Sequence, residues 1–334
     1  MKLCVLSGGT GTPKLIQGLK KVVNEEDLSI IVNTGEDTFV GDLYLSPDVD
    51  TVLYTLSDQI NEEKWYGVKD DTYITHELIK KYHNKEQKSF NEELWIGDKD
   101  RALKYHKTHY INKGYKLSEI INLERNLFNI KANVYPMTNN NNVKTKILIK
   151  ENNNNDNYKK ILMEFHDFWI KRKGQCEVLD IFYENSNYSK SPSEVINCIN
   201  NCDGIIIGPS NPITSIGPIL AIEDIKHNII NSKKPLIVVS PIVGNNVVSG
   251  PAGKFLKAKG YDVNWKGLYK YYYDLGLKID LLILDNNDKP KNNNNSNNIY
   301  LNNTQIIYTN TIMKNMDDKV NLANIIINFI KSKK

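Results

Sequence analysis

"KLCVLSGGTGTPK", residues 2–14, contains the pattern that decides the fold: a short apolar run followed at once by a glycine-rich turn. The run "LCVLS" has the length and continuity of a buried strand. The glycines let the chain turn tightly, and Pro13 is typical of the first turn of a helix. The stretch therefore predicts a strand, a turn and a helix, which is the beginning of a βαβ unit.

The same alternation continues along the chain. Five more short apolar runs predict strands: "LSIIVN", "GIIIGPS", "PLIVVSP", "IDLLILD" and "TQIIYTN". Helical patterns occupy residues 13–23, 193–201, 217–231, 253–259 and 317–333. Strands this continuous are typical of a parallel sheet covered on both faces. We therefore expect an α/β fold with a doubly wound, mostly parallel, Rossmann-like sheet.

The middle of the chain differs from its two ends. Residues 61–129 are charged and aromatic with a helical pattern, and residues 131–182 read as strands with Asn-rich turns. We expect residues 61–182 to form a helical and β insertion that covers the active site. Residues 1–60 and 183–334 would then form a nucleotide- or phosphate-binding core. Asparagine runs at 139–142, 152–155 and 292–295 predict loops.

Composition excludes several classes of protein. A net charge of +4 over 334 residues gives no reason to expect nucleic-acid binding. The four cysteines form no CxxC or Cys/His metal pattern, which indicates reduced thiols. No apolar stretch has the length of a signal peptide core or a membrane span, so we expect a cytoplasmic protein.

The glycine turn after the first strand is a candidate phosphate site. A helix that begins near Pro13 directs free N–H groups at an anion, and glycines let the backbone approach it. The turn is neither a Walker A loop nor a complete GxGxxG, because Lys14 stands at the third glycine position. A plain strand-to-helix turn is the alternative, with Lys14 on the helix surface. The predicted phosphate-binding residues here are Gly8, Gly9, Thr10, Gly11, Thr12 and Lys14.

Two further loops follow predicted strands. Residues 208–218 combine three prolines and two glycines with the hydrogen-bonding side chains of Ser210, Asn211, Thr214 and Ser215. We expect these four side chains to bind the nucleotide or its phosphates. The loop at 241–254 is similar in composition, but its prolines are equally compatible with a role in shaping the chain alone.

An acidic stretch, "NTGEDTFVGDLYLSPDVDT" at residues 33–51, follows the second predicted strand. It has five acidic residues and no basic ones, at the edge where phosphates are expected. Carboxylates and phosphates lie together most readily around a hard cation, normally Mg²⁺. We predict Asp37 and Asp50 as metal ligands and Asp48 and Asp50 as catalytic residues. The alternative for Asp50 is a helix N-cap.

These motifs together resemble one family closely. "SGGTGTPKL", "VNTGEDTFV", "SPDVDTVLY", "GDKDRA", "DFWI", "GPSNPITSIGPI" and "VSPIVGNNVVSGPAGK" occur in the order found in the CofD family of 2-phospho-L-lactate transferases. The resemblance runs from residue 2 to about residue 285. From its charge pattern alone, "GDKDRA" would read as a solvated helix start.

The resemblance implies an activity. The family transfers a phospholactyl group, or a phosphoenolpyruvyl group in some members, from a guanosine diphosphate-linked donor to the deazaflavin FO. GMP is released, the precursor of coenzyme F420 (F420-0) forms, and Mg²⁺ is required. The resemblance also implies that Asp50 and Lys99 contact FO and that the protein is a homodimer. Candidates for the walls around the FO ring are Trp65, Tyr66, Trp95 and Trp169, unless they are core residues.

Two other functions are compatible with a nucleotide-binding fold. One is a non-catalytic nucleotide or nucleotide-sugar regulator of the YvcK-like type, against which the acidic residues and "GDKDRA" argue. The other is an NAD-dependent dehydrogenase, which the broken GxGxxG disfavours.

Overall fold

A computed structural model describes residues 1–85, 94–152, 158–244, 246–247, 250–290 and 299–334. The described strands are β1 Leu3–Ser7, β2 Leu28–Val32, β3 Thr38–Val40, β4 Leu43–Leu45, β5 Asn133–Pro136, β6 Lys144–Asn152, β7 Tyr158–Glu164, β8 Glu177–Glu184, β9 Gly204–Ile207, β10 Leu236–Val239, β11 Ile242–Val243, β12 Asn246–Val247, β13 Leu281–Asp285, β14 Ile299–Leu301 and β15 Thr304–Thr309. The described α-helices are α1 Gly11–Val22, α2 Pro47–Leu56, α3 Ile74–Lys85, α4 Asp98–Asn112, α5 Leu117–Leu127, α6 Ser193–Asn201, α7 Gly217–Ala221, α8 Glu223–Asn231, α9 Ala252–Ala258, α10 Trp265–Asp274 and α11 Met316–Ser332.

The central sheet has the order β14-β15-β13-β10-β9-β1-β2-β5. Every neighbouring pair is parallel except β14 with β15. The expected doubly wound, mostly parallel sheet is therefore confirmed. One difference concerns Asn133–Pro136, which falls within the range predicted for the insertion but pairs with β2 at the sheet edge. A four-residue strand that ends in proline gives little periodic signal in the sequence.

Alternate side chains of the strands enter two separate cores. Cys4 and Leu6 of β1 contact a core shared with α6, α7, α8 and α10. Leu3 and Val5 contact the opposite core, which includes α1, α2, α5 and α11. Successive strand residues point to opposite faces, so helices on both sides bury all five residues of β1. This double burial is the physical reason for the continuous apolar runs.

The remaining elements surround this sheet. Helices α3, α4 and α5 fill the region read as helical, and β7-β6-β8 form a separate antiparallel sheet. The helix predicted at 217–231 is two helices, because Ile222 takes extended backbone angles between α7 and α8. The asparagine run at 139–142 is a loop, whereas residues 153–155 and 292–295 lie outside the described residues. None of the helices in the described ranges is both long and apolar enough to cross a membrane.

Strand order defines where a ligand site is expected. β1 has β2 on one side and β9 on the other. The chain therefore continues from β1 to the strand on one side, and a later segment adds β9 on the opposite side. Such a switch point leaves a crevice beyond the carboxyl ends of the strands. The loops after β1, β2 and β9 converge there.

Candidate active site

A cleft of about 430 Å³ opens where these loops meet. Its polar part is lined by Gly9, Thr10, Gly11, Glu36, Asp48, Thr51, Lys64, His166, Ser210, Asn211, Thr214, Ser215 and Gly250. Its apolar part is lined by Pro47, Trp65, Tyr66, Leu94, Phe165, Trp169, Ile170 and Pro251. The cleft thus combines hydrogen-bonding groups and carboxylates with an aromatic wall.

The loops after β1 and β9 form one unit. Thr12 Oγ1 and Ser210 Oγ lie 2.6 Å apart, and the backbone N–H of Gly8 donates to Ser210 Oγ at 3.2 Å. A Cβ on Gly11 would lie 1.8 Å from the carbonyl oxygen of Pro209, so only glycine fits there. Ser210 is 198 residues after Thr12 and 202 residues after Gly8. The loop after β1 is therefore held in place by a segment that is remote in sequence.

The amino end of α1 opens into the cleft. The helix begins at Gly11, its first turn has no acidic residue, and Thr10 makes no side-chain cap. The first N–H groups of a helix have no partner inside the helix and carry partial positive charge. Gly9, Thr10 and Gly11 line the cleft, so this end of α1 has the properties of an anion-binding site. Gly8 and Thr12 lie behind them, bonded to Ser210.

The loop after β9 is shaped by Asn211. Its side-chain oxygen accepts from the backbone N–H groups of Ile213 at 3.0 Å and Thr214 at 3.2 Å. The following residues, Pro212–Ile216, form one π-helical turn, a conformation that is frequent at functional sites. All four side chains predicted to bind ligand from this loop line the cleft: Ser210, Asn211, Thr214 and Ser215.

Two carboxylates of the acidic stretch, Glu36 and Asp48, also line the cleft. Burial raises the pKa of Asp48 to about 6, although hydrogen bonds from Asn33 and the Gly9 backbone oppose the shift. Burial also raises the pKa of Glu36 well above its usual value, and the charge of Asp48 raises it further. Two desolvated like charges repel, so this pair is suited to hold a proton or a cation.

Asp37 lies behind the cleft. Its Oδ2 accepts from Ser46 Oγ at 2.7 Å and from the Tyr44 hydroxyl at 3.0 Å. Burial raises the pKa of Asp37 to about 7, against these hydrogen bonds and the charges of Lys107 and Lys144. Oδ1 has no hydrogen-bond partner among the described residues.

Asp50 belongs to a buried charge cluster. It lies inside α2, which begins at Pro47, so the alternative that Asp50 is the helix N-cap is wrong. Its Oδ2 accepts from Lys104 at 3.2 Å, and its Oδ1 accepts from Lys107. Burial alone would raise the pKa of Asp50, but the charges of Lys107 and Lys104 outweigh burial and lower it. Lys107 also lies 3.5 Å from the buried carboxylate of Glu124.

Lys99 lies in the first turn of α4, on the exposed side. Its Nζ donates to the backbone carbonyls of Asp70 at 2.7 Å and Lys69 at 3.3 Å. Neither Lys99 nor Asp50 is among the residues that line the cleft. The prediction that both contact FO stays a prediction.

The aromatic candidates divide into two groups. Trp65, Tyr66 and Trp169 line the cleft. Trp95 instead contacts Tyr73 and His76, with ring centroids 5.6 Å and 4.7 Å away. Lys14, predicted to neutralise a phosphate, has its Nζ 4.9 Å from the centre of the Trp65 ring and does not line the cleft.

Some cleft residues were not singled out from the sequence. Glu36, Thr51 and Phe165 line the cleft, although the sequence alone indicates no individual role for any of them. The spacing of Phe165 and Trp169, one helical turn apart in "FHDFWI", is the signal that would have indicated a shared aromatic face. Their rings stack with centroids 6.4 Å apart.

A metal ion would find few protein ligands here. Within the part of the chain that the structure describes, no group of three or more His, Cys, Asp or Glu side chains is arranged to hold a metal ion. The carboxylates that reach the cleft are Glu36 and Asp48.

Comparison with known proteins decides the family. The family model for 2-phospho-L-lactate transferase CofD matches residues 3–326, which is nearly the whole chain. The chain belongs to the CofD family. Among similar CofD proteins, 2-phospho-L-lactate transferase of Methanocaldococcus jannaschii is 57% identical over 330 residues, covering 99% of this chain and 98% of that protein. The enzyme of the same name from Methanopyrus kandleri is 41% identical, covering 99% and 98%.

A solved structure supports the fold of this CofD protein. A member of the UPF0052 family from Bacillus halodurans superposes with a TM-score of 0.56 at 17% identity, covering 87% of this chain and 83% of that one. At this identity the likeness concerns the fold alone.

Proposed function

We propose that this protein is a Mg²⁺-dependent transferase of the coenzyme F420 pathway. It would transfer 2-phospholactyl, or phosphoenolpyruvyl, from a guanosine diphosphate-linked donor to the deazaflavin FO, releasing GMP and forming F420-0. The observation that carries the proposal is one cleft, in a chain of the CofD family, that combines an anion-binding helix end, two carboxylates and an aromatic wall. We further propose that the enzyme is a cytoplasmic homodimer.

The polar end of the cleft fits a guanosine diphosphate portion. Free N–H groups at the start of α1 and hydroxyls of the loop after β9 are donors for phosphate oxygens. The contact between Thr12 and Ser210 holds both loops before a ligand arrives, so little ordering is required on binding. The donors act on the charge that develops on the transferred and departing phosphates.

Mg²⁺ fits the carboxylate pair. Glu36 and Asp48 are close enough for the charge of Asp48 to raise the pKa of Glu36, and a cation would relieve this repulsion. Mg²⁺ is commonly held by one or two carboxylates together with substrate phosphates. When bound, it would neutralise phosphate charge. Asp37 and Asp50, the ligands predicted from sequence, both have other buried partners, and their metal role stays a prediction.

The residues of the cleft then have separable tasks. The primary hydroxyl of FO attacks the phosphorus that bears the lactyl ester, the bond from that phosphorus to the GMP oxygen breaks, and the hydroxyl proton must be accepted. Burial raises the pKa of Asp48 to about 6 in the protein without a cation. Because bound Mg²⁺ lowers the basicity of the carboxylates that hold it, we assign the proton to Asp48 only through an oxygen that does not contact the cation. The helix end and hydroxyls align the donor phosphates.

Asp50 would affect this site indirectly, by holding helix α2 in place. Its helix, α2, also carries Asp48 and Thr51 into the cleft, and the ion pairs with Lys104 and Lys107 join α2 to α4. Direct contact of Asp50 and Lys99 with FO, as the resemblance implies, would require both side chains to exchange the partners they have here.

The test is release of GMP. Purified protein, FO, Mg²⁺ and the guanylylated phospholactate donor should give GMP and F420-0 in equal amounts, measured by chromatography. Asp48→Asn should lose most of the activity, whereas Asp203→Asn should retain it, because Asp203 is a partly exposed carboxylate that pairs with Lys334 and does not line the cleft. No GMP above the enzyme-free control, with authentic substrates, would refute the proposal.

A nucleotide-binding regulator of the YvcK-like type is the alternative. It predicts tight nucleotide binding without turnover and an affinity that Asp48→Asn and Asp50→Asn leave unchanged. The same protein preparations therefore distinguish the two functions.

A further inference from the structure

Two lysines converge on Trp65, one of two tryptophans that line the cleft. The Nζ atoms of Lys14 and Lys319 each lie 4.9 Å from the centre of the Trp65 ring. Trp65 lines the cleft, whereas neither lysine does. Ammonium groups at this distance from an indole are attracted by its electron-rich face. The two lysines therefore contact a residue of the cleft wall without lining the cleft themselves.

Both lysines come from one helix pair. α1 and α11 pack so closely that a Cβ on Gly18 would lie 2.2 Å from the carbonyl oxygen of Lys319. Lys14 is four residues before Gly18, so it lies on the same face of α1, toward α11. The two ammonium groups therefore approach Trp65 from the α1–α11 side. Trp65 also packs against the small core that contains Ile60 and Val68, and it still contributes to the lining of the cleft.

The electrostatics indicate that the indole matters to Lys14. Lys14 is half-buried, and burial together with the charge of Lys319 lowers its pKa. Lys319 is stabilised by Gln17 Oε1 at 2.5 Å and by Glu62 at 3.5 Å. Lys14 forms no ion pair with a carboxylate in the described ranges, so the Trp65 ring is the partner that the structure gives it.

The backbone also fixes Trp65. Its φ of 57° is in the left-handed region, which is uncommon for a large side chain. The backbone N–H of Trp65 donates to the carbonyl of Asn61 at 2.8 Å, and a β-bridge between Ile60 and Val68 closes the segment. A strained conformation held this way at a cleft is typical of a functional position.

The cleft around Trp65 suits a flat ring. Tyr66, Phe165 and Trp169 line the same apolar part, while the carboxylates and hydroxyls lie in the polar part. The ammonium groups of Lys14 and Lys319 beside the indole, together with Lys64, which lines the cleft next to Trp65, place positive potential at this wall, which disfavours a cationic ring. We infer that Trp65 is the surface on which the planar ring of the acceptor stacks, and that Lys14 and Lys319 are positioning residues that hold its indole and favour a neutral or anionic ring. This inference rests on the proposed transferase function and names the acceptor subsite.

The inference predicts that substitutions at this wall weaken binding of the acceptor FO and leave binding of GDP, which represents the donor, unchanged. Trp65→Ala should raise the Kd of FO roughly 10-fold or more, since a single stacking contact is typically lost at that scale. Lys14→Met and Lys319→Met, which keep the side-chain length, should each raise it roughly 3- to 10-fold. Lys14→Arg should restore affinity, because a guanidinium also stacks on an indole. The Kd of GDP should stay unchanged in every variant.

Lys333→Met is the matched control. Lys333 is close to the end of α11, and its Nζ lies 5.1 Å from the ring of Phe329, remote from the cleft. It should leave the Kd of FO unchanged. FO binding is measured by fluorescence titration and GDP binding by calorimetry, with circular dichroism to check folding. Because Lys319 is buried and its variant is at risk of misfolding, Lys14→Met alone is sufficient to decide.

Two outcomes overturn the inference. One is an unchanged Kd of FO in Trp65→Ala and Lys14→Met. The other is a weaker GDP affinity with unchanged FO affinity in Lys14→Met, which would make Lys14 a phosphate ligand, as the glycine-loop pattern alone suggests.

A second arm separates this inference from the proposed function. Riboflavin, a neutral tricyclic ring, and proflavine, a cationic one, are titrated into the wild-type protein without donor. Riboflavin should bind more tightly than proflavine. In the Lys14→Met/Lys319→Met double variant, the ratio of the two Kd values should be smaller. Equal affinities, or tighter proflavine binding, overturn the ring preference whatever the transferase assay gives. Absent GMP release with the preference intact refutes the transferase and retains the aromatic subsite.

Discussion

The hydroxyls of Thr12 and Ser210 lie 2.6 Å apart, and this contact joins the first residues of the chain to a loop at residue 210. Both side chains are buried, and Ser210 also accepts from the backbone of Gly8. The contact fixes the glycine turn against the loop after β9, and these two loops form the polar end of the cleft.

Ser210→Ala should destabilise the protein and weaken GDP binding. The substitution leaves the buried Gly8 N–H without its acceptor and the buried Thr12 hydroxyl without its hydrogen-bond partner, which typically costs about 1–3 kcal/mol. Urea unfolding gives the change in free energy, and calorimetry gives the affinity. Ser332→Ala, at the end of α11, should change stability by less than about 0.5 kcal/mol. Equal stability of Ser210→Ala and wild type would show that the hydroxyl pair is unimportant.

Glu36 and Asp48 should determine the response to Mg²⁺. If this pair holds the cation, Mg²⁺ should increase GDP affinity in the wild type, and Glu36→Gln or Asp48→Asn should remove most of that increase. Because a close charge contact is worth on the order of 1–3 kcal/mol, the loss should be about 10-fold or more. Glu63→Gln, a change at an exposed carboxylate, is the control. A full Mg²⁺ response in both cleft variants contradicts the assignment.

Asp50→Ala should cost roughly 3–5 kcal/mol of unfolding free energy, the usual effect of removing one partner of a buried ion pair. It leaves Lys104 and Lys107 without the carboxylate that lies between them. Asp50→Asn keeps an acceptor for one lysine and should cost less. Denaturant midpoints measure both variants. Asp58→Asn removes an exposed carboxylate paired with Lys20 and keeps a residue that tolerates the left-handed backbone there, so it should be nearly neutral. A small loss in Asp50→Ala would be inconsistent with the buried cluster.

Asp288 should make stability fall as the pH rises. Burial raises its pKa to about 6, although a hydrogen bond from the Gly244 backbone opposes the shift. A raised carboxyl pKa means that the folded state binds more protons than the unfolded state between about pH 4 and pH 6. Stability from this group is therefore greatest below pH 4 and is lost as the pH passes 6.

Asp288→Asn should remove that slope. Because the group is partly solvated, we expect only about 1 kcal/mol between pH 4 and 7 after allowing for solvent screening. Urea midpoints at several pH values compare the variant with wild type, and Asp317→Asn is the control at an exposed carboxyl group. Parallel pH profiles of Asp288→Asn and wild type would contradict the prediction.

The sequence determined the main architecture because its causes are local. Five-residue apolar runs such as Leu3–Ser7 are continuous only when both faces of a strand are covered, so they predict a parallel sheet with helices on both sides. The glycines after β1 act on their own backbone, so that turn was also readable. The hydrogen bonds from the backbone to the Asn211 side chain are equally local, but they were not predicted. The short edge strand Asn133–Pro136 falls within the range predicted as strands, but its pairing with β2 in the central sheet was not predicted, because that pairing leaves no local pattern.

Tertiary structure decided which charges and rings belong to the cleft. Asp48 and Asp50 are two residues apart, yet only Asp48 lines the cleft. Asp50 is instead bonded to Lys104 and Lys107, which follow it by 54 and 57 residues. Likewise Trp65 lines the cleft and contacts Lys319, whereas Trp95 packs against Tyr73. The partners of a carboxylate or an indole come from segments remote in sequence, and their charge and burial set its pKa and its role. A local pattern contains no information on those distances.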